Sequence, residues 1–323
     1  MRKSLIPAAL LVLAGIMSAP AQTYPQRPIT LVVPYPPGGT SDLIARLLTE
    51  PMKASLGQPI IIESVGGAGG TIGVGRVARA APDGYTLGIG NVSTYVLNGA
   101  AYSLTYDLVK DFEPVALLTS NPLMIVTKSA VPATDLKSLI GWIKANQDKI
   151  SCATVGAGSS AHIAGVYFEN TTGVRFNYVP YRGGAPAVQD LMAGQVDLMF
   201  IQATDAVPHV RAGKIKGFAV TAKTRMPTVP DVPTVDEAGL PGFHMTIWNG
   251  LWVPKGTPAE VVAKLNAAAI AAMADATVRQ RLADLGQELP PPDQAAPEAL
   301  GAQQKAEIAK WWPIIRAAHI RAD

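Results

Sequence analysis

The chain has 323 residues with a formal net charge of +3, and only 16% of them are charged. With no Lys/Arg cluster and 6% aromatic residues, nucleic acid is not an expected partner. The lone Cys152 rules out an intramolecular disulfide, and its apolar surroundings read as a buried, inert thiol.

The first residues read as a secretory signal. Met1-Arg2-Lys3 is a basic start, Leu5 to Met17 an apolar run too short for a span, and Ala19-Pro20-Ala21 a small-x-small cleavage site. Cleavage after Ala21 and a periplasmic location are expected. The remaining length predicts two domains rather than one.

From there the order of elements is strand, helix, strand. Ile29–Val33 is a strand and Ser41–Ser55 a helix, and the β-rich Pro59–Glu63 follows. Gly66-Gly67-Ala68-Gly69-Gly70 reads as a flexible turn before a helix through Ala80, and Asp83-Gly84 as a turn before the strand Tyr85–Ile89. The second half repeats the plan. Helices are expected at Leu136–Ala145, Ser160–Asn170, Ala185–Ala193 and Asp205–Ala212. Strands are expected at Ser151–Val155, Phe176–Val179, Val196–Phe200 and Phe218–Thr221. After the Pro-rich passage 227–233 come a strand at Gly250–Val253, an Ala-rich helix Pro258–Met273, and a last helix holding Trp311-Trp312. Such alternation predicts an α/β protein with mainly parallel sheets flanked by helices, and no short-period repeat is visible. Chain crossings near Leu117–Thr127 and Phe218–Lys223 divide it into 22–122, an inserted domain 123–222, and 223–323, with the C-terminal helix able to pack on the inserted domain.

Two turns carry the chemistry. Pro34-Tyr35-Pro36-Pro37-Gly38-Gly39-Thr40-Ser41-Asp42 and Gly156-Ala157-Gly158-Ser159-Ser160-Ala161-His162 each link a strand to a helix start. Such a start presents free N–H groups and about half a positive charge, which suits an anion. One turn lies in each half of the chain, so a cleft between two lobes holding a carboxylate is predicted. Thr40, Ser41 and Ser159 also suit helix capping, and Asp42 complements a helix start better than it touches an anion. Asn91 and Ser93 follow the third strand and share the same sheet edge. Tyr181 stands at a turn beside Arg182, and Asp205 is either a first-turn helix acid or a ligand contact. Trp248 is either core or an aromatic wall.

Enzyme readings compete at Gly156–Ser160. A serine hydrolase elbow needs Gly-x-Ser-x-Gly, but Gly158 directly precedes Ser159, and His162 lies on the same helix rather than a distant loop. Gly156-x-Gly158-x-x-Ala161 fits the loose dinucleotide fingerprint, but no acid follows the next strand to hold a ribose. An exported α/β enzyme of either kind is the alternative reading. His209, His244 and His319 have no metal-ligand spacing with each other or with Cys152, so no metal and no cofactor are expected.

Several motifs together resemble one family. They are Tyr24-Pro25-Gln26-Arg27-Pro28, Pro36-Pro37-Gly38-Gly39-Thr40-Ser41-Asp42, Pro82-Asp83-Gly84-Tyr85-Thr86-Leu87, Tyr178-Val179-Pro180-Tyr181-Arg182-Gly183, Gly194-Gln195-Val196-Asp197 and Pro230-Asp231-Val232-Pro233-Thr234. In this order they resemble the Bug-type periplasmic solute receptors of tripartite tricarboxylate transporters. The resemblance implies a two-lobed type II periplasmic binding fold and a monomer that takes up small carboxylates and delivers them to integral-membrane permease subunits, without catalysis. It implies that Tyr35, Gly38, Gly39, Thr40 and Ser41, with Gly158, Ser159, Ser160 and His162, grip one carboxylate. The family's Asp-Asn pair is replaced here by Ile201-Gln202, with Ala203, Thr204 and Asp205 following, so Gln202, Thr204 and Asp205 become the candidate distal contacts. The altered pocket points to an aromatic or medium-chain mono- or dicarboxylate.

Overall fold

The computed structural model describes residues 24–147 and 149–322; the expected signal peptide and its cleavage site lie outside them. Nine strands and ten α-helices lie along these residues, alternating for most of their length. The first lobe opens with β1 (Ile29–Val33), α1 (Thr40–Leu56), β2 (Ile60–Ser64), α2 (Thr71–Ala78) and β3 (Thr86–Asn91). A π-helical turn, Ser93–Leu97, runs into the short α3 (Asn98–Ala101). A 17-residue strand, β4 (Phe112–Lys128), then leads into the second lobe. There follow α4 (Leu136–Ala145), β5 (Ser151–Thr154), α5 (Ser160–Thr172), β6 (Asn177–Pro180), α6 (Gly184–Met192), β7 (Leu198–Gln202), α7 (Ala203–Arg211) and β8 (Ile215–Val220). The chain returns through β9 (Thr246–Pro254), α8 (Ala259–Ala274), α9 (Ala276–Asp284) and α10 (Pro297–Ala317). No single helix among the described residues is long and apolar enough to cross a membrane.

Local sequence explains the helix bounds. Asp135 and Ser138 cap α4 reciprocally, each side chain taking the other's backbone N–H. Gly57, at φ 72°, and Gly173, at φ 74°, close α1 and α5 in the left-handed conformation that a side chain disfavours.

The strands run in the order β2-β1-β3-β9-β4-β7-β5-β6, with β8 on β4. Pairing is parallel where a helix links consecutive strands, as in β1 with β2 and β3, and β5 with β6. It turns antiparallel around β4 and β9, so both sheets are mixed where the α/β rhythm predicts mainly parallel ones. Phe112–Pro122 of β4 pairs with β9, while Leu123–Lys128 lies between β7 and β8. Buried Thr221 ties the two passages together: Leu123 N donates to its hydroxyl, which donates to the Met245 carbonyl.

One apolar core runs through both lobes. In the first, Tyr95 stacks on Trp252 with ring centroids 3.6 Å apart; in the second, Phe168 and Phe200 cluster with Phe243 of the returning chain. Trp311 of α10 meets the edge of Tyr167 on α5, so the last helix touches the second lobe. Trp248 is fully buried in this core. Cys152 is buried on β5, and burial pushes its thiol far above the usual range.

Gly90 is where this packing is least forgiving. A Cβ there would stand 2.4 Å from the Tyr95 ring and 2.7 Å from the Thr94 hydroxyl. Tyr95 cannot retreat, because Trp252 lies flat against it. Gly90→Ala is expected to cost about 2–3 kcal/mol through overpacking, a fall in Tm of roughly 5 °C by calorimetry. An unchanged Tm would mean that the Tyr95–Trp252 stack is free to move.

Candidate functional site

The lobes enclose a cleft of about 700 Å³. Its walls are strand-to-helix turns, which open sheets collect at the carboxyl ends of their strands. The first lobe contributes Tyr35, Gly39, Thr40 and Ser41 after β1, with Asn91 and Ser93 at the end of β3 and just beyond it. The second contributes Val155 to Ala161 after β5, Gly183 and Gly184 after β6, and Gln202 and Asp205 around the end of β7.

The two Gly turns share one construction. Gly38 (φ 87°) donates its N–H to Asp42 Oδ2 at 2.9 Å, and Gly158 (φ 73°) donates its own to His162 Nδ1 at 3.2 Å. In both lobes a side chain four residues on, in the first turn of the helix, pins the glycine. The pinned residues therefore spend those N–H groups internally. Gly38 faces a second cavity and His162 lines neither. Burial works against the charge of Asp42, but hydrogen bonds from Arg46 and Gly38 outweigh it, and its pKa is lowered. His162 packs edge-on against Tyr178, 4.7 Å between centroids, and burial lowers its pKa. Its Nδ1 is the acceptor of the Gly158 N–H.

Past the pinned glycines the helix starts are open to the cleft. Neither α1, entered through Gly39, nor α6, entered through Gly183, has a side-chain cap. Their first N–H groups have no acceptor within the helix. Ser159 caps α5, its Oγ accepting from His162 N at 3.3 Å. Neither α5 nor α6 has an acid in its first turn, and the one in α1, Asp42, is turned back onto Gly38 and Arg46. Three helix N-termini thus meet in one cleft whose lining contains no Lys or Arg and a single charged residue, Asp205.

Tyr35 is held in place, its hydroxyl donating to Asn91 Oδ1 at 3.1 Å, and burial raises its pKa to about 12. The same Asn91 oxygen accepts from the backbone N–H groups of Ser93 and Thr94. Two other expected residues stand outside this cleft. Tyr181 is drawn to Asp190 Oδ2 at 2.7 Å, and Thr204 lines the second cavity.

Other wall residues had no obvious sequence signal. Gly69, within the Gly66–Gly70 turn, lines the cleft, fixed through its carbonyl by Asn98 Nδ2 at 2.9 Å. Its position after β2, on the same sheet edge, was the one available clue. Ala322 also reaches the cleft, donating its N–H to the Ala101 carbonyl at 2.9 Å. Only the folded arrangement of α10 puts it there. The two groups that a hydrolase reading would use are committed to the helix start: the Ser159 hydroxyl accepts from the His162 N–H, and His162 Nδ1 accepts from the Gly158 N–H.

Comparison with known proteins agrees with this geometry. Residues 44–320 match the tripartite tricarboxylate transporter family receptor, TctC. MatC from Rhodopseudomonas palustris, solved with bound malate, is 43% identical, with a TM-score of 0.81 over 90% of this chain and 100% of that one. The periplasmic binding protein BugD is 40% identical, with a TM-score of 0.80 over 92% and 100%. R. palustris Rpa4515, solved with adipate, is 32% identical, with a TM-score of 0.81 over 92% and 99%. These are solute-binding proteins of the two-lobed α/β type. By sequence and by fold, the chain belongs to the tripartite tricarboxylate transporter receptor family, a family of carboxylate-binding receptors and not of enzymes.

Proposed function

We propose that the protein captures a small carboxylate in the interlobe cleft and delivers it to the integral-membrane permease of a tripartite tricarboxylate-type transporter. The observation that carries this reading is the convergence of three helix N-termini from both lobes on a cleft without Lys or Arg. Backbone N–H groups and the hydroxyls of Thr40, Ser41 and Ser160 hold the carboxylate. The malate and adipate bound by relatives support the same ligand chemistry.

The lobes act as a clamp. Residues 123–222 form the inserted lobe, and the passages through β4 and residues 218–223 form the hinge. A ligand that touches both lobes binds the closed state better than the open one and shifts the balance toward it. The permease reads the closed surface, and a cleaved leader delivers the receptor, as a monomer, to the periplasm.

Beyond the anchored end, Leu123, Ile201 and Ile247 make the wall apolar. One anchored carboxylate with an aromatic or aliphatic body therefore binds better than citrate. Burying an apolar body gains about 25 cal/mol per Å², while an unpaired buried charge costs several kcal/mol. Thermal shift against a carboxylate panel, followed by calorimetry, tests this, since a ligand raises Tm by mass action. Stabilisation by benzoate-like or aliphatic acids and not by citrate is expected. Tight citrate binding with no response to the others would refute the ligand class, and no response to any carboxylate would refute the receptor reading.

A further inference from the structure

The carboxylate cleft does not end at Asp205. A second cavity, of about 580 Å³, adjoins it and shares Gly39, Thr40, Gly184 and Asp205 with it. These four residues form a neck between the two spaces. Beyond the neck, Leu43 of α1, Val188 and Met192 of α6 and Leu285 after α9 supply apolar surface.

The charge along this path is one-sided. Neither cavity is lined by Lys or Arg. The second is lined by Asp205, Asp284 and His209. Asp284 already accepts from Gln280 Nε2 at 2.8 Å. Asp205 makes no hydrogen bond or ion pair among the described residues, and His209, one turn further along α7, is the titratable neighbour that acts on it. Its carboxylate keeps access to the cleft, yet the surrounding protein raises its pKa. Just before it in sequence, Gln202 lines the first cavity and Thr204 the second, but their Oε1 and Oγ1 are enclosed by protein rather than open to either space. Both are buried atoms without a hydrogen-bond partner. Of these three side chains, Asp205 alone presents its oxygens to open space, at the start of α7.

We propose that the ligand is an elongated ω-amino carboxylate: its carboxylate lies on the helix N-termini, its chain on the apolar wall, and its ammonium against Asp205 at the neck. The inference rests on the carboxylate reading above and extends it to the far end of the ligand. An ammonium in the shared space supplies the cation that Asp205 lacks, together with N–H donors for its carboxylate. A second carboxylate in the same place meets a like charge with no counter-cation.

Calorimetry on the full-length mature protein tests this with matched sets. These are the ω-amino derivatives of butanoate, hexanoate and octanoate, each against the plain acid and the dicarboxylate of the same length. In at least one set the amino acid is expected to bind tenfold or more tighter than both others. Asp205→Asn is expected to abolish that preference, so that the dicarboxylate gains on the amino acid. Salt supplies a reading that needs no variant: the amino acid's advantage shrinks as ionic strength rises. A plain acid or dicarboxylate that matches or beats the amino acid in every set overturns this inference and leaves the carboxylate clamp standing. So does an advantage that survives Asp205→Asn or is indifferent to salt. Failure of all nine compounds, with no other carboxylate binding either, overturns both.

Discussion

Converting a bound carboxylate ligand to its methyl ester or primary amide is expected to weaken binding by roughly 100-fold or more. No side-chain cation lines the cleft, and in the proposed clamp the anion is held by the first-turn N–H groups of α1, α5 and α6 and nearby hydroxyls. A hydrogen bond to a charged group contributes about 1.5–3 kcal/mol, and a neutral isostere forfeits that share at each lobe. Two such losses come to about 3–6 kcal/mol. Helix N-termini also favour negative charge over a neutral carbonyl of the same shape. Calorimetry of acid, ester and amide reads the difference directly. Equal affinity across the three would remove the carboxylate clamp.

Gly158→Val is expected to cost tens-fold in affinity with a comparatively small loss of stability. Gly158 sits at φ 73°, where a β-branched residue is strained. Its Cβ would also stand 3.0 Å from the Ala101 Cβ in the first lobe and 3.4 Å from the Ala322 Cβ. Strain of this kind costs about 1–3 kcal/mol. Relief comes by moving the turn, which breaks the Gly158–His162 bond and disperses the second-lobe half of the carboxylate cradle. Thermal shift separates the two effects: the ligand-induced rise in Tm should shrink markedly at a given ligand concentration while the unliganded Tm falls by only a few degrees. Gly141→Ala is the control, because nothing lies within 4 Å of that Cβ and α4 gains a better helix former. Full ligand response in Gly158→Val would show that the turn is not part of the site.

The α/β rhythm was legible because hydrophobic periodicity reports burial. The expected bounds of β1 and α4 match the structure residue for residue. β4 was hidden, because Pro114 and the polar run Thr119-Ser120-Asn121-Pro122 interrupt its apolar pattern and read as a crossing instead of a strand. α9 was missed because Asp275 both ends α8 and caps α9, leaving no loop to mark a new helix. At the site, sequence indicates which turns share an edge but not where each side chain goes. Thr40, Ser41, Asn91, Gln202 and Asp205 line the cleft. Tyr181 is diverted by Asp190, nine residues on across a turn and a helix, and His162 by Gly158, four residues back in its own turn. Both hydrogen bonds depend on local geometry that residue types alone do not give.

β4 belongs to both sheets without a break, and this limits how the molecule can move. Hydrogen-bonded register, with irregularities at 114–116, 117–119 and 125–126, holds Phe112–Pro122 on β9 and Leu123–Lys128 on β7 and β8. A one-residue slip would turn every side chain to the wrong face, so translation of one half against the other is forbidden. What is left is torsion, as in a bar clamped at both ends. Pro122 sits at the junction of the two clamps and has no N–H to donate. The bar therefore has a weak section at its middle, where twisting sacrifices no hydrogen bond from that residue.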